Sequence, residues 1–364
     1  MAKKILFILA TQYDNMGDLL INKCLVDELA NYGEVYIDSK NASKEFVNIL
    51  IDNPKVHQLS DISTISLKGK GLLLLPFLKN FRFTHLFKSP GPFGGASSLS
   101  EALRYLIFYY IFAVMKSRQC LSFLVGVDLI VKSLFDSKLQ KLYASVLKGI
   151  YVRSIANRDL LQGIDILNAK YFPDLCFLMR EKVILSDNRS KVGISFRDLK
   201  NDELNKVIFE SVRTYSEFFI EKGFDVVVFY QVERDREFNK RLYDSINGEH
   251  SDKVLFNEKC LHWNDRDFYN EFLSLISNRL HVLLLSQIYE AIPIAITDGN
   301  AKTSKIDNIY SSIGLDKLVF HSSLTFETLN KTFNESSLLV EEIKKVNYFQ
   351  YNLAKDSMSE IFTN

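Results

Sequence analysis

The chain has 364 residues, which is too long for one ordinary domain core and predicts two domains at the usual ~150 residues each. Apolar residues make up 47% and charged residues 24%, a composition typical of folded globular proteins that excludes disorder and fibrous repeats. The 45 basic and 44 acidic residues give a net charge of +1, so the chain lacks the basic excess of a dedicated nucleic-acid-binding protein and no nucleic-acid partner is expected.

Strand and helix patterns alternate along both halves of the chain. The first half predicts strands over 4–10, 35–38, 71–75, 120–126 and 149–153, and helices over 19–32, 98–115 and 133–147. After the polar segment 180–190 the pattern restarts, with strands over 191–196 and 225–230 and helices over 202–222 and 235–247. This alternation predicts an α/β fold with two Rossmann-like doubly wound domains facing each other across a cleft. We place an N-terminal domain at 1–182, a C-terminal domain at 190–345 and a C-terminal helix or tail at 346–364.

Charge and cysteine distribution bear on partners and compartment. Residues 1–180 carry 22 basic and 15 acidic groups, and residues 181–364 carry 23 and 29. The positive first half predicts either a solvated surface or contact with something anionic. The four cysteines are isolated, without metal-ligand spacing, which predicts a reducing compartment and no metal site. The short apolar run at the N-terminus lacks a cleavage site, so we expect a cytoplasmic protein, with contact to the inner face of the membrane left open.

The apolar segment 105–115 is too short to span a bilayer, which needs ~20 residues. The preceding segment, 79–88, interleaves basic and aromatic residues, as interfacial segments do. Two interpretations stay open here. Residues 79–118 form a peripheral membrane contact, or they form a solvated loop followed by a core helix.

Turns that follow strands hold the first candidate binding residues, because ligands of open α/β sheets bind there. After the first strand, Gly17 permits close backbone approach, Asp18 can cap the helix and Asn15 can bind a ligand. Further along, the backbone amides of Gly94, Gly95 and Ala96 can form an anion-binding concavity. A tight capped turn and an ordinary glycine turn are the structural alternatives.

Three later turns carry charged residues. Arg158 and Asp174 each follow an apparent strand or a short apolar stretch, although Arg158 can also simply pair with Asp159 at the surface. The segment Ser277-Asn-Arg-Leu-His281 follows another strand, and Ser277 or Asn278 is expected to cap a helix.

That cap places Arg279 and His281 in the first helical turn, where the helix dipole favours an anion. Arg197 and Lys305 also follow predicted strands of the second domain. If the sheet is parallel, these side chains meet at one edge and form an anion-binding site.

These motifs resemble those of the polysaccharide pyruvyltransferase family. The resemblance runs from about residue 10 to 315, and the Ser-x-Arg-Leu-His element is its specific part. It implies a GT-B-like pair of Rossmann-type domains that transfers the pyruvyl group of phosphoenolpyruvate to two sugar hydroxyls as a ketal. The usual setting is capsule, exopolysaccharide or cell-wall glycan synthesis, often on a lipid-linked acceptor. Phosphoenolpyruvate would be the co-substrate, and no cofactor is implied.

Under this resemblance the N-terminal domain faces the acceptor and the C-terminal domain holds the donor. Arg197, Arg279 and the Leu280 amide would bind the donor carboxylate and phosphate, and Lys305 would add positive charge. His281 would be the general acid. The base is open among three carboxylates: Asp174, Asp18 and Asp14.

Two other functions fit the same pattern. In the first, the chain is a GT-B glycosyltransferase in which Arg279, His281 and Lys305 hold the phosphates of a nucleotide-activated sugar. In the second, it is a non-catalytic protein that binds a glycan or lipid head group.

Overall fold

The computed structural model describes residues 3–40, 42–62, 82–96, 98–186, 189–248, 252–299 and 304–363. The chain divides into two compact units. Unit 1 comprises Met1–Tyr13, Asp18–Leu175 and Leu353–Asn364, and unit 2 comprises Asp14–Gly17 and Cys176–Asn352. The predicted strand over 71–75 lies outside the described residues.

Unit 1 is built on an eight-stranded sheet whose pairings are all parallel. Its strands are β1 Lys3–Ile8, β2 Gly33–Asp38, β3 Val56–Gln58, β4 His85–Lys88, β5 Gly91–Gly94, β6 Leu121–Ile130, β7 Gly149–Val152 and β8 Ala169–Tyr171. Its helices are α1 Met16–Ala30, α2 Lys44–Leu50, α3 Leu99–Ser117, α4 Leu134–Val146 and α5 Ile155–Gln162. The strand order is β3-β2-β1-β4-β6-β7-β8, and β5 pairs with β6. The order reverses between β1 and β4, as in doubly wound folds.

The central strands of unit 1 are apolar along their length because helices cover both faces of a parallel sheet. In register, Phe7 of β1 pairs with Phe87 of β4, which pairs with Phe123 of β6, and all three side chains are buried. Serine caps begin two of the covering helices, since Ser98 and Ser133 each accept a hydrogen bond from a backbone amide three residues later.

The position of strand β4 corrects part of the prediction that residues 79–88 form an interfacial segment. Residues 79–81 lie outside the described residues, but His85–Lys88 form a fully buried strand at the centre of the sheet. The Lys88 ammonium donates to the Ser89 carbonyl at 3.1 Å and lies 4.8 Å from the centre of the Phe93 ring. Desolvation, with a smaller contribution from the nearby Arg104, lowers the pKa of Lys88 to about 8, and Asp18 opposes the shift.

We expect Lys88→Met to stabilise unit 1 at pH 7. The folded-state pKa of about 8 lies below the ordinary 10.5, so burying the charged form costs stability below pH 8. That cost, about 3 kcal/mol, disappears as the pH rises from 8 to 10.5. The gain of Lys88→Met in free energy of unfolding should therefore shrink between pH 7 and pH 9.5 in denaturant titrations. Lys138→Met, at an exposed lysine, is the control. Equal effects of both substitutions at both pH values would contradict the prediction.

Unit 2 contains a six-stranded parallel sheet. Its strands are β9 Lys191–Ser195, β10 Asp225–Val228, β11 Val254–Phe256, β12 Phe272–Ser277, β13 Ile292–Ile296 and β14 Val319–Phe320. Its helices are α6 Asp202–Ile220, α7 Arg236–Ile246, α8 Leu280–Ile288, α9 Lys305–Ile313 and α10 Phe326–Asn334. The order β11-β10-β9-β12-β13-β14 is the 3-2-1-4-5-6 order of dinucleotide-binding Rossmann folds.

The last helix, α11 Ser336–Thr363, covers most of the segment 346–364 that was predicted as a C-terminal helix or tail, and it begins ten residues earlier. In unit 2, Asn347 exchanges hydrogen bonds with the side chain and carbonyl of Gln287. In unit 1, the Phe362 ring stacks on Tyr32 with centroids 4.2 Å apart. The division after Leu175 also precedes the predicted boundary at 182. The chain of unit 1 is therefore completed by residues from the C-terminus.

Candidate functional site

The order of strands in unit 2 reverses between β9 and β12, and this is where open α/β sheets bind ligands. In register, Ser195 of β9 pairs with Ser277 of β12, and Ser277 pairs with Ala295 of β13. Two residues beyond these aligned positions come Arg197, Arg279 and Thr297. The parallel sheet thus brings Arg197 and Arg279, 82 positions apart in the sequence, to adjacent strand ends.

Two asparagine side chains hold the end of β9 in place. Asn278 accepts from the Arg197 amide at 2.9 Å and donates to the Arg197 carbonyl at 3.0 Å. Asn239 of α7 accepts from the Phe196 amide at 2.8 Å and donates to the Phe196 carbonyl at 2.7 Å. Because these four bonds satisfy the backbone after the strand ends, the main chain that carries Arg197 is fixed.

Arg279 is already paired within the protein. Its Nε forms an ion pair with Oδ2 of Asp235, although the two atoms do not have the geometry of a hydrogen bond. Both side chains are largely buried, with Arg279 12% exposed and Asp235 5% exposed. Asp235 comes from the turn between β10 and α7, so a third strand end contributes to this edge. The positive charge of Arg279 is therefore largely balanced before any ligand binds.

Arg197 is the contrasting cation. It is exposed, and within the described part of the chain its guanidinium group makes no ion pair or hydrogen bond. Desolvation and the neighbouring Arg279 lower the pKa of Arg197 below its ordinary value, and Arg234 acts in the same direction. Asp235 and Asp298 partly oppose this shift. Arg197 thus presents an uncompensated charge in a cluster with other cations, where an anion is favoured.

Helix α8 begins one residue later than predicted. Its N-cap is Arg279, which makes no side-chain capping bond, so neither Ser277 nor Asn278 caps it as expected. Ser277 instead accepts from the Arg279 amide at 3.0 Å and donates to the Ser195 carbonyl. The first residues of the helix are Leu280 and His281, whose amides lie at the positive end of the helix dipole.

Two other predicted residues belong to unit 2 with α8. The segment Asp14–Gly17 groups with this unit, and a Cβ added to Gly17 would lie 2.2 Å from Nδ1 of His281. Only glycine permits this approach. Asn15 is occupied locally, since its side chain accepts from the Gly17 amide at 3.0 Å. It therefore caps α1 in place of the predicted cap, Asp18.

Lys305 is the first residue of α9, after β13, and Ser304 caps that helix. The same helix carries Asp307, which lies 2.6 Å from the His321 Nε2. Lys305 thus follows the strand next to the one that leads to Arg279.

The predicted residues of unit 1 have protein partners. Asp174 is 1% exposed and accepts from Arg153 at 3.1 Å, and Arg153 also pairs with Asp128. A buried carboxylate held by a guanidinium is a poor base. Arg158 pairs with the adjacent Asp159 at 2.8 Å on the surface, which is the structural alternative raised by the sequence. The Asp18 carboxylate accepts from the Gln12 amide at 3.2 Å.

In the predicted glycine concavity, the Ala96 amide is bound by the protein's own carboxylate. Gly94 and Gly95 both have positive φ, and the following Ala96 amide donates to Asp136 at 3.1 Å. Asp136 is fully buried and also accepts from the Lys132 amide and the Ser133 hydroxyl. The turn therefore binds an internal anion, which is the physical reason that it does not offer the Ala96 amide to a ligand.

Helix α3 carries the remaining part of the predicted membrane contact. Leu99, Leu103, Leu106 and Ile107 lie on one face of the helix and are 41% to 78% exposed. None of the helices within the described ranges is long and apolar enough to cross a bilayer. Contact of α3 with a membrane surface stays a prediction.

Several residues of this site were not identified from the sequence. They are Asp235, Arg234, Asn239 and Cys260. Burial, together with the nearby Glu233 and Asp235, raises the pKa of the Cys260 thiol to about 11, and Arg279 opposes the shift. Arg234, Asp235 and Asn239 follow β10, which the sequence predicts, so searching that strand end would have found them. Cys260 follows β11, which has no strand signal in the sequence. In the described ranges, His, Cys, Asp and Glu side chains form no metal-binding group of three or more.

No family model matches this sequence, and a search of curated proteins finds no match. Solved structures are similar over nearly the whole chain. The UDP-GlcNAc 2-epimerase from Neisseria meningitidis bound to UDP-GlcNAc has a TM-score of 0.62 at 11% identity and covers 99% of each chain. MnaA from S. aureus, in a co-structure with UDP, has a TM-score of 0.56 at 10% identity and covers 97% of this chain and 94% of that one. MurG from Acinetobacter baumannii has a TM-score of 0.54 at 12% identity and covers 100% of each.

These similarities show the fold: the chain has two Rossmann-like α/β units of the GT-B class, as predicted. They also correct the predicted reaction. The similar structures include several UDP-GlcNAc 2-epimerases, MurG and a protein described as a glycosyltransferase, and these overturn the prediction of pyruvyl transfer from phosphoenolpyruvate, which is wrong. The alternative, a GT-B protein that uses a nucleotide-activated sugar, is the better supported of the two.

Proposed function

We propose that this chain is a glycosyltransferase that binds a nucleotide-activated sugar in unit 2 and transfers the sugar to an acceptor hydroxyl. The observation that carries the proposal is Arg197, whose uncompensated guanidinium is carried on main chain that Asn278 fixes at the reversal of strand order. A diphosphate placed there would meet Arg197 and the backbone amides at the start of α8. A lipid-linked saccharide is the proposed class of acceptor.

The fold supports this proposal independently of the charges. Two of the similar structures are described as complexes with UDP or UDP-GlcNAc, and the similarity extends over both units. The strand order of unit 2 is the order on which nucleotides bind at the first strand reversal. Arg197 and α8 occupy that position in this chain.

Thermal unfolding in the presence of ligands tests the proposal. We expect UDP-GlcNAc, or another member of a panel of UDP-, GDP- and CMP-sugars, to raise the Tm, because a ligand bound only by the folded state stabilises it by about 2.7 kcal/mol at 100 times its Kd. Phosphoenolpyruvate at the same concentration serves as a small-anion control. A rise with phosphoenolpyruvate alone would overturn the proposal.

Product analysis then separates the reactions that share such binding. A glycosyltransferase releases the nucleoside diphosphate only when an acceptor is added. A 2-epimerase would change the configuration of the sugar on the intact nucleotide, and a non-catalytic relative would bind without turnover. Either of the last two outcomes would overturn glycosyl transfer while leaving nucleotide-sugar binding in place.

A further inference from the structure

Asp235 is an unexpected component of an anion-binding edge. Its side chain is 5% exposed and lies against Arg279. Its backbone is also held, because its amide donates to the Val232 carbonyl at 2.9 Å and its carbonyl accepts from Asn239 at 2.9 Å. The carboxylate is therefore fixed at the site, and its negative charge repels a phosphate that binds there.

The fixed carboxylate limits how much negative charge the edge can accept. Arg197, Arg234 and Arg279 contribute three positive charges, and Asp235 cancels one of them at contact distance. Asp298, an exposed residue after β13, also acts on Arg197. The net charge of these residues is thus about +2 or less.

The two ligands of a glycosyl transfer differ in charge. Each phosphate of a nucleoside-diphosphate sugar is linked on both sides and carries one negative charge. The terminal phosphate of the free nucleoside diphosphate loses a second proton with a pKa of about 6, so the product carries about one charge more at pH 7.5.

We propose that Asp235 determines the ligand preference of this site, so that the site favours the doubly charged nucleotide sugar over the triply charged nucleoside diphosphate. This inference rests on the proposed function. By repelling the additional charge, Asp235 would also favour release of the product after transfer. Asp235 acts here through charge and is a specificity-determining residue that need not touch the reacting atoms.

Calorimetric titration of wild type and Asp235→Asn with UDP, the methyl ester of its terminal phosphate, and UDP-GlcNAc tests the inference. Removing one charge near a ligand of higher charge should tighten UDP binding by about 3–10-fold more than UDP-GlcNAc binding. The methyl ester has the size of UDP but the charge of the sugar nucleotide, so it should respond as UDP-GlcNAc does. Glu237→Gln is the control. It removes a charge two positions from Asp235 in the sequence, on a side chain that is 86% exposed, and should leave the ratio of Kd values unchanged.

The outcomes separate this inference from the proposed function. If wild type binds neither UDP nor UDP-GlcNAc, the proposed function fails. If both bind and Asp235→Asn changes their affinities by the same factor, or weakens UDP more, the inference alone is overturned. If thermal unfolding shows that Asp235→Asn is unstable, Asp235→Ser removes the same charge and replaces it in the titration.

Discussion

Replacing Arg197 with glutamine should abolish most nucleotide binding while leaving the protein folded. The guanidinium group makes no ion pair within the described residues, and its repulsion from Arg279 is relieved by the substitution. The free energy of unfolding should therefore change by no more than about 0.5 kcal/mol. Loss of a charge that contacts a phosphate should raise the Kd for UDP or a UDP-sugar by about 30-fold or more. Calorimetric titration and thermal unfolding measure the two effects separately.

Two matched variants make this result specific. Arg213→Gln changes an exposed arginine of α6 and should alter neither the Kd nor the Tm. Arg279→Gln leaves the Asp235 carboxylate buried without its cation, so it should lower both affinity and stability. Wild-type affinity in Arg197→Gln would remove Arg197 from the binding site.

Replacing Arg153 with methionine should cause a large loss of stability in unit 1. Arg153 is 3% exposed and joins Asp174 and Asp128, and although burial by itself would lower its pKa, these two carboxylates raise it. Removing the guanidinium leaves Asp174 buried as an unpaired charge, which typically costs about 3–5 kcal/mol. We expect the Tm to fall by roughly 10 °C. Differential scanning calorimetry provides the measurement.

The chain offers a control of the same chemical type. Arg158→Met removes a surface ion pair with Asp159 and should cost at most about 1 kcal/mol. The double variant Arg153→Met with Asp174→Asn should recover part of the lost stability, because the uncompensated charge is gone. Equal Tm values for Arg153→Met and Arg158→Met would show that the buried pair does not stabilise the fold. This experiment also tests whether Asp174 has a structural role in place of the predicted role as a base.

Sequence patterns were informative where one element carries its own signal. The helices over 98–115 and 202–222 were predicted almost to their ends, because apolar periodicity and serine or asparagine caps are local features. The short strands β3, β5, β8 and β11 were not identified. Each is three or four residues long, which is too short for a periodic pattern. Strand β4 was interpreted as interfacial because its lysine and aromatic residues give no sign of burial.

The candidate site also has features that the sequence predicted and features that it could not. Arg197 and Arg279 were predicted to lie together because both follow strands, and a parallel sheet collects the residues at its carboxyl edge. The sequence could not show that Arg279 is balanced by Asp235 whereas Arg197 is not. It likewise could not show that Asp136 binds the Ala96 amide of the glycine turn or that Arg153 holds Asp174.

The amino-acid sequence by itself therefore determined a two-unit α/β protein with cations after the strands of its second unit, because hydrophobic period and turn residues are encoded locally. Only the tertiary structure decided which of those cations are available to a ligand. Charge pairing depends on distances of a few ångströms between residues such as Arg279 and Asp235, which are 44 positions apart. Those distances follow from the strand order of the folded sheet and the placement of α7 and α8 beside it.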